Sequence, residues 1–127
     1  LNEYVKIVDA SDNVYSYYKS AHLFLQTPNW EGFGNVLVEA MMFGLPVISS
    51  DCPGGPRHIL QNGKYGKLLC KNNPSTFVDE IVKIIKSPKI SRKDNIKRAM
   101  EFRTEEIGRH YEAIISKWAN NNSGRNH

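Results

Sequence analysis

Apolar residues in this chain fall into short runs with two different periods, and the switches between them mark out the elements. "YVKIV" at 4–8 alternates apolar and polar positions in the manner of a strand. After the turn residues "DASDN", "VYSYYKSAH" (14–22) reads as a helix with Asn13 as its N-cap. "LFLQT" (23–27) is a short apolar strand stopped by Pro28. The loop "NWEGFG" then leads into an apolar helix expected over 35–43, with Gly44 placed as a C-terminal helix glycine. "PVISS" (46–50) reads as a buried strand, followed by the loop "DCPGGP", a short helix over 57–60, the turn "NGKYG" and a third core strand "KLLC" (67–70). Pro74 sits where a helix begins, and "STFVDEIVKIIK" continues it with Phe77, Ile81, Ile84 and Ile85 on one face. Two more helices close the chain. The last, over 105–119, sets Ile107, Tyr111, Ile114 and Trp118 on one stripe, and residues 120–127 form a polar tail outside the domain at 1–119.

Short apolar strands alternating with helices across short Gly/Pro loops predict an α/β fold with a parallel sheet and crossover helices. Ligands of such sheets bind beyond the carboxyl ends of the strands. "NWEGFG" and "DCPGGP" are both strand-to-helix loops of that kind.

Composition narrows the classes. At 127 residues, 40% hydrophobic and 24% charged, the chain has the make-up of one globular domain able to bury a core. No run approaches the roughly 18 apolar residues of a membrane span. The opening "LNEYVKIVDA" has neither a secretory pattern nor an initiator Met, so the chain is expected to be part of a longer one. Cys52 and Cys70 lack metal-ligand spacing and are expected to be small buried hydrophobes in a reducing compartment. The net charge of +4 is local: residues 80–109 carry nine Lys/Arg against five Asp/Glu, and the rest sums to zero. A solvated helix face or a surface for anionic lipid headgroups accounts for that excess. Nucleic acid is not expected, because the basic positions are not interleaved with exposed aromatics.

Two glutamates then stand out in "PNWEGFGNVLVEAMMFG", separated by seven residues in an apolar stretch. A carboxylate there is costly unless something binds it. Gly32 and Gly34 let the backbone approach a ligand, and the following helix N-terminus favours an anion such as a diphosphate. Glu31 would stand beyond that phosphate. The carboxylate of Glu39, one turn into the helix, can accept the two hydrogen bonds that a ribose offers. Glu31 as a plain loop acid and Glu39 paired with a buried Arg or Lys remain open, and the residues alone indicate a domain for a phosphate ligand.

The segment "NWEGFGNVLVEAMMFGLPVISSDCPGGPRHILQNGKYGKLL" resembles the donor-binding half of retaining glycosyltransferases of family 4, the group 1 glycosyl transferases. The resemblance is carried by the Glu31-to-Glu39 motif, its continuation through Ala40, Gly44, Pro46 and Val47, the "SDCP-GP" pattern at 50–56, and Gly63, Gly66, Leu68 and Leu69. Upstream, "NVYSYYKSAHLFL" looks like the family's "YYK-AD-F" segment with His22 where Asp is usual, so compatible motifs run over about residues 4–115. The resemblance implies two facing Rossmann-like domains of GT-B type, of which this chain is the C-terminal, donor-binding part. The acceptor domain and the start of the donor domain would lie elsewhere in the protein, and the last helix would pack against the missing domain.

Carried over residue by residue, Glu31, Gly32 and Phe33 would meet the donor sugar. The backbone of Gly34, Asn35 and Val36 would meet the diphosphate, and Glu39 the ribose. Arg57 would reach phosphate or stay solvated. Neither a metal nor a cofactor is implied. The expected donor is a nucleoside-diphosphate sugar, UDP-linked in preference to GDP-linked, and the acceptor a glycan or lipid-linked saccharide. The enzyme would be cytoplasmic, with contact at the inner face of the membrane. The chain departs from the family at "PRHI", where His58 replaces a common Glu and reads as a helix-surface or capping residue. A chain of this length is not expected to catalyse transfer alone. The rival readings are a non-catalytic nucleotide-binding module, a phosphate-ligand enzyme such as a sugar epimerase, and binding of nucleic acid through the basic helices.

Overall fold

The computed structural model describes residues 3–10, 13–70, 73–87 and 91–122. In chain order the elements are α1 (Val14–Ser20), β1 (Phe24–Gln26), α2 (Asn35–Met42), β2 (Val47–Ser50), α3 (Gly55–Ile59), β3 (Lys67–Leu69), α4 (Pro74–Lys86), α5 (Arg92–Met100) and α6 (Thr104–Asn122). The strands form one parallel sheet in the order β1-β2-β3, with Phe24 opposite Val47 and Ile48 opposite Lys67. The α/β class and the parallel sheet read from the sequence are therefore those of the structure.

All four residues of β2 are buried, so it is the centre of the sheet, with a core on each face. Successive side chains of a strand point to opposite faces. Val47 accordingly joins Leu37, Ala40, Met41, Leu45, Ile59 and Leu60, together with Tyr18 of α1 and Ala99 of α5. Ile48 joins Phe77 and Ile84 of α4 on the other face. Gly44 has a φ of 71°, the left-handed conformation that ends a helix without a Cβ penalty, and its amide donates to the Met41 carbonyl. Asn13 occupies the N-cap position of α1, where its carbonyl accepts the Ser16 amide at 3.3 Å and the Ser16 hydroxyl at 2.9 Å.

Several local expectations are corrected. Residues 4–8 form no strand: Tyr4 and Ile7 are 88% and 92% exposed. Alternation makes a strand only where a neighbouring backbone pairs with it, and among the described residues none does. Helix α3 starts at Gly55, two residues earlier than expected, because Pro56 is suited to the first turn. On α4, Ile85 is exposed whereas Phe77 and Ile84 are buried, since a residue 100° round the helix from Ile84 leaves the sheet. Cys52 is buried, but Cys70, just past β3, is exposed, and both are free thiols. Helix α6 begins at Thr104 and runs to Asn122, into the expected tail; residues 123–127 lie outside the described residues. Its predicted stripe of Ile107, Tyr111, Ile114 and Trp118 is exposed along its whole length.

Candidate functional site

The loops after β1 and β2 continue side by side beyond the sheet. The Glu31 amide donates to the Pro53 carbonyl at 3.3 Å, and the Gly55 amide to the Gly32 carbonyl at 2.8 Å, closing a parallel bridge between Glu31 and Gly54. Only glycine permits this approach. A Cβ on Gly54 would fall 1.7 Å from the Glu31 carbonyl oxygen, and one on Gly55 1.6 Å from that of Phe33. The paired glycines of "DCPGGP" therefore hold the first loop in place. Serine hydroxyls add to the seam: Ser50 donates to the Pro28 carbonyl at 2.5 Å, and Ser49 accepts the Gln26 amide at 3.1 Å.

The first loop ends at Gly34, whose φ of 98° turns the chain into α2. As the N-cap it offers no side-chain oxygen, and its carbonyl accepts the Leu37 and Val38 amides. The amides of Asn35 and Val36, at the start of the helix, have no acceptor within it. Glu31 stands at this end: its Cγ would lie 3.5 Å from a Cβ on Gly34. Gly34 itself is buried over Ile59, while Phe33 and Val36 on either side are about half exposed. The structure thus groups Glu31, Gly32, Phe33, Gly34, Asn35 and Val36 around one open helix terminus.

Glu39 lies further along α2, half buried, and accepts the Tyr18 hydroxyl on Oε2 at 3.1 Å. The Tyr18 ring is buried, with its centroid 5.6 Å from that of Phe43 and 6.1 Å from that of Phe24. Burial first, then the charge of Glu39 and the hydrogen bond to it, push the Tyr18 phenol from 10.0 up to about 12. The phenol therefore stays a donor. Among the described residues Glu39 pairs with no Arg or Lys, so a buried ion pair does not account for it.

Arg57 lies on α3, where its Nε and Nη2 fork onto both oxygens of Asp51 at 2.6 Å. That hydrogen bond, with the Asp51 charge, raises its pKa further. His58 is exposed, with its ring edge-on to Phe102 at 5.8 Å; Phe102 also meets Phe33 at 5.5 Å. Among the described residues no group of three or more His, Cys, Asp or Glu is placed to hold a metal ion, and no helix is long and apolar enough to cross a membrane.

What the sequence did not reveal is the work of α5. Asn95 and Arg98, 1% and 5% exposed, are buried inside the supposedly solvated basic region. Asn95 Nδ2 donates to the Leu45 carbonyl at 2.7 Å, and Arg92 Nη2 to the Phe43 carbonyl at 3.1 Å, closing the C-terminal end of α2. Arg98 donates to the His58 and Ile59 carbonyls at 2.6 and 2.9 Å, closing that of α3, and pairs with Glu101. The available signal was the spacing of Arg92, Asn95 and Arg98 with Ala99, which puts them on one side of a helix. Lys83, Arg103 and Arg109 pair with Glu80, Glu105 and Glu106, acids of the same region, so these pairs leave its net excess of basic residues as it stands.

Comparison with known proteins gives this arrangement relatives. The family described as "Glycosyl transferases group 1" matches residues 1–102. The chain is 29% identical over 118 residues, 93% of its length, to the amylovoran biosynthesis glycosyltransferase AmsD of Erwinia amylovora, and spans 32% of that protein. It is 31% identical over 99 residues to the GtfA subunit of the UDP-N-acetylglucosamine–peptide N-acetylglucosaminyltransferase of Streptococcus agalactiae, covering 72% of this chain and 19% of the relative. The chain thus spans about a third or less of the curated relatives it matches. In fold it is similar to the C-terminal domain of a glycosyl transferase group 1 family protein, LpcC, from Francisella tularensis. That likeness has a TM-score of 0.58 and 21% identity, covering 75% of this chain and 48% of that one.

Proposed function

This chain belongs to the group 1 glycosyl transferases, and we propose that it is the donor-binding part of a retaining glycosyltransferase. Its fold is that of the C-terminal half of a GT-B type enzyme. The observation that carries the reading is the open N-terminus of α2, with Glu31 beside it at Gly34 and Glu39 further along the same helix. In this reading the diphosphate of a nucleotide-sugar lies on the amides of Gly34, Asn35 and Val36, where the helix dipole favours negative charge. Glu31, with Gly32 and Phe33, meets the sugar, and Glu39 accepts the ribose hydroxyls. A uridine diphosphate donor is favoured by the relative GtfA, a subunit of a UDP-N-acetylglucosamine–peptide N-acetylglucosaminyltransferase. Arg57 has a lesser part, since Asp51 already holds its fork.

The chemistry needs no protein nucleophile. The acceptor hydroxyl attacks the anomeric carbon on the face from which the diphosphate leaves, so one C–O bond forms as the other breaks and configuration is retained. The acceptor proton passes to a phosphate oxygen of the departing diphosphate. Negative charge grows on that diphosphate in the transition state, and the α2 amides stabilise it there. The acceptor, a glycan or lipid-linked saccharide, and the domain that binds it belong to the longer protein, so this chain alone binds donor without transferring sugar. In residues 80–109, Lys86, Lys93 and Lys97 have no ion pair among the described residues; these would meet an anionic membrane face.

In the full-length protein Glu39→Gln should raise the donor KM by about tenfold, the order expected when a charged hydrogen-bond acceptor is lost. Glu31→Gln should lower turnover to a degree that depends on the sugar offered. Steady-state kinetics with both variants test the reading. Unchanged donor affinity and turnover in both would make the carboxylates structural.

A further inference from the structure

The ribose carboxylate does not stand alone. Tyr18 is held on several sides: its ring stacks on Phe43, which also stacks on Tyr15 at 5.9 Å, and it tilts against Phe24 of β1. A tyrosine buried to 7% exposure needs a partner for its hydroxyl. The partner found is Glu39 Oε2, from a helix that begins 15 residues after α1 ends. The contact pairs a rigid donor with a flexible acceptor. Glutamate has three side-chain torsions, and immobilising such a side chain carries an entropic cost that a ligand must otherwise supply on binding. Fixing Oε2 in advance removes part of that cost. It leaves Oε1, with both its lone pairs, for hydroxyls of the ligand.

We infer that Tyr18 is a positioning residue, which orders the Glu39 carboxylate in advance for the two vicinal hydroxyls of a nucleotide ribose. The inference rests on the assignment of Glu39 to the ribose and extends it to a residue on another element. Because the phenol keeps its proton to about pH 12, it donates to Glu39 throughout the range in which an enzyme works. Tyr18 itself touches neither phosphate nor sugar in this scheme. Its loss should therefore be felt in affinity for the ribose and not in the chemical step.

The test uses the full-length protein and four forms: parent, Tyr18→Phe, Glu39→Gln and the double variant. Dissociation constants are measured for uridine and guanosine diphosphate and for their 2′,3′-dideoxy counterparts. Phenylalanine keeps the ring stack and removes only the donor. Tyr18→Phe should weaken the ribonucleotide about three- to tenfold, the worth of one hydrogen bond, leave the dideoxy analogue unchanged and keep kcat. The double variant should bind no worse than Glu39→Gln alone. If Glu39→Gln weakens the ribonucleotide and Tyr18→Phe does not, Tyr18 has no positioning role. If Tyr18→Phe weakens both nucleotide forms equally and lowers the melting temperature, its role is packing. If Glu39→Gln binds both forms like the parent, or no form binds either diphosphate, the ribose assignment fails and this inference fails with it.

Discussion

The two ends of α2 are built in opposite ways. At the C-terminal end a glycine turn and side chains from another helix close the helix. Gly44 takes the left-handed turn, Arg92 reaches the Phe43 carbonyl and Asn95 the Leu45 carbonyl, both from a helix some 50 residues later. At the N-terminal end a glycine stands where the side chain of Ser, Thr, Asp or Asn would satisfy an amide, so the N-cap residue makes no side-chain bond to the helix. The second glycine loop bonds to the first loop alongside and not to the start of the helix. A helix closed at one end by partners from across the fold and left open at the other is the arrangement expected if an anion arrives at the open end. With glycine at the N-cap the stability given up is only about a few tenths of a kcal/mol, small enough to be recovered by a bound anion.

The contrast can be broken first from the open end. Gly55→Ala puts a methyl on the Phe33 carbonyl, so the two loops must part and the bond to Gly32 is lost. The variant should lose about 3 kcal/mol of stability in denaturant unfolding and bind donor no longer. At the closed end, Asn95→Ala leaves the buried Leu45 carbonyl without its donor and should cost about 2 kcal/mol. Lys97→Ala, two residues on and exposed, should stay within about 0.5 kcal/mol. Equal costs at the two positions would mean that α5 is a solvated basic face after all. A further effect, confined to alkaline pH, lies between the ends, at Tyr18. The unfolded phenol ionises near 10.0 and the folded one near 12, so between those values the unfolded chain has lost a proton that the folded chain keeps. Stability from this group is present below pH 10 and falls as pH rises towards 12. Tyr18→Phe should flatten that alkaline decline, read from unfolding curves on either side of the window.

This division also tracks what a linear sequence can disclose. Strands β1 and β2, helix α2 and its terminal glycine were legible because each is decided within a few residues, by an apolar run and the turn residue beside it. The motif of Glu31 and Glu39 was legible for the same reason. Other features depend on partners far along the chain. The need for glycine at 54 and 55 arises from carbonyls of Glu31 and Phe33, more than twenty residues upstream. Arg98 looked like a solvated charge because the carbonyls it serves are 39 and 40 residues away. The tie between Tyr18 and Glu39 spans 21 residues. Alternation at 4–8 misled in the converse sense, since a strand is a property of two backbones and only one of them is visible in its own residues.

The central claim is that the open end of α2 receives a diphosphate, and backbone amide spectra of the ¹⁵N-labelled full-length protein titrated with uridine diphosphate test it most directly. The account predicts that the amides of Gly34, Asn35 and Val36 move most, while those of Phe43, Gly44 and Leu45 at the closed end hold their positions. Movement concentrated away from Gly34, Asn35 and Val36, with those three unchanged at saturation, would contradict it.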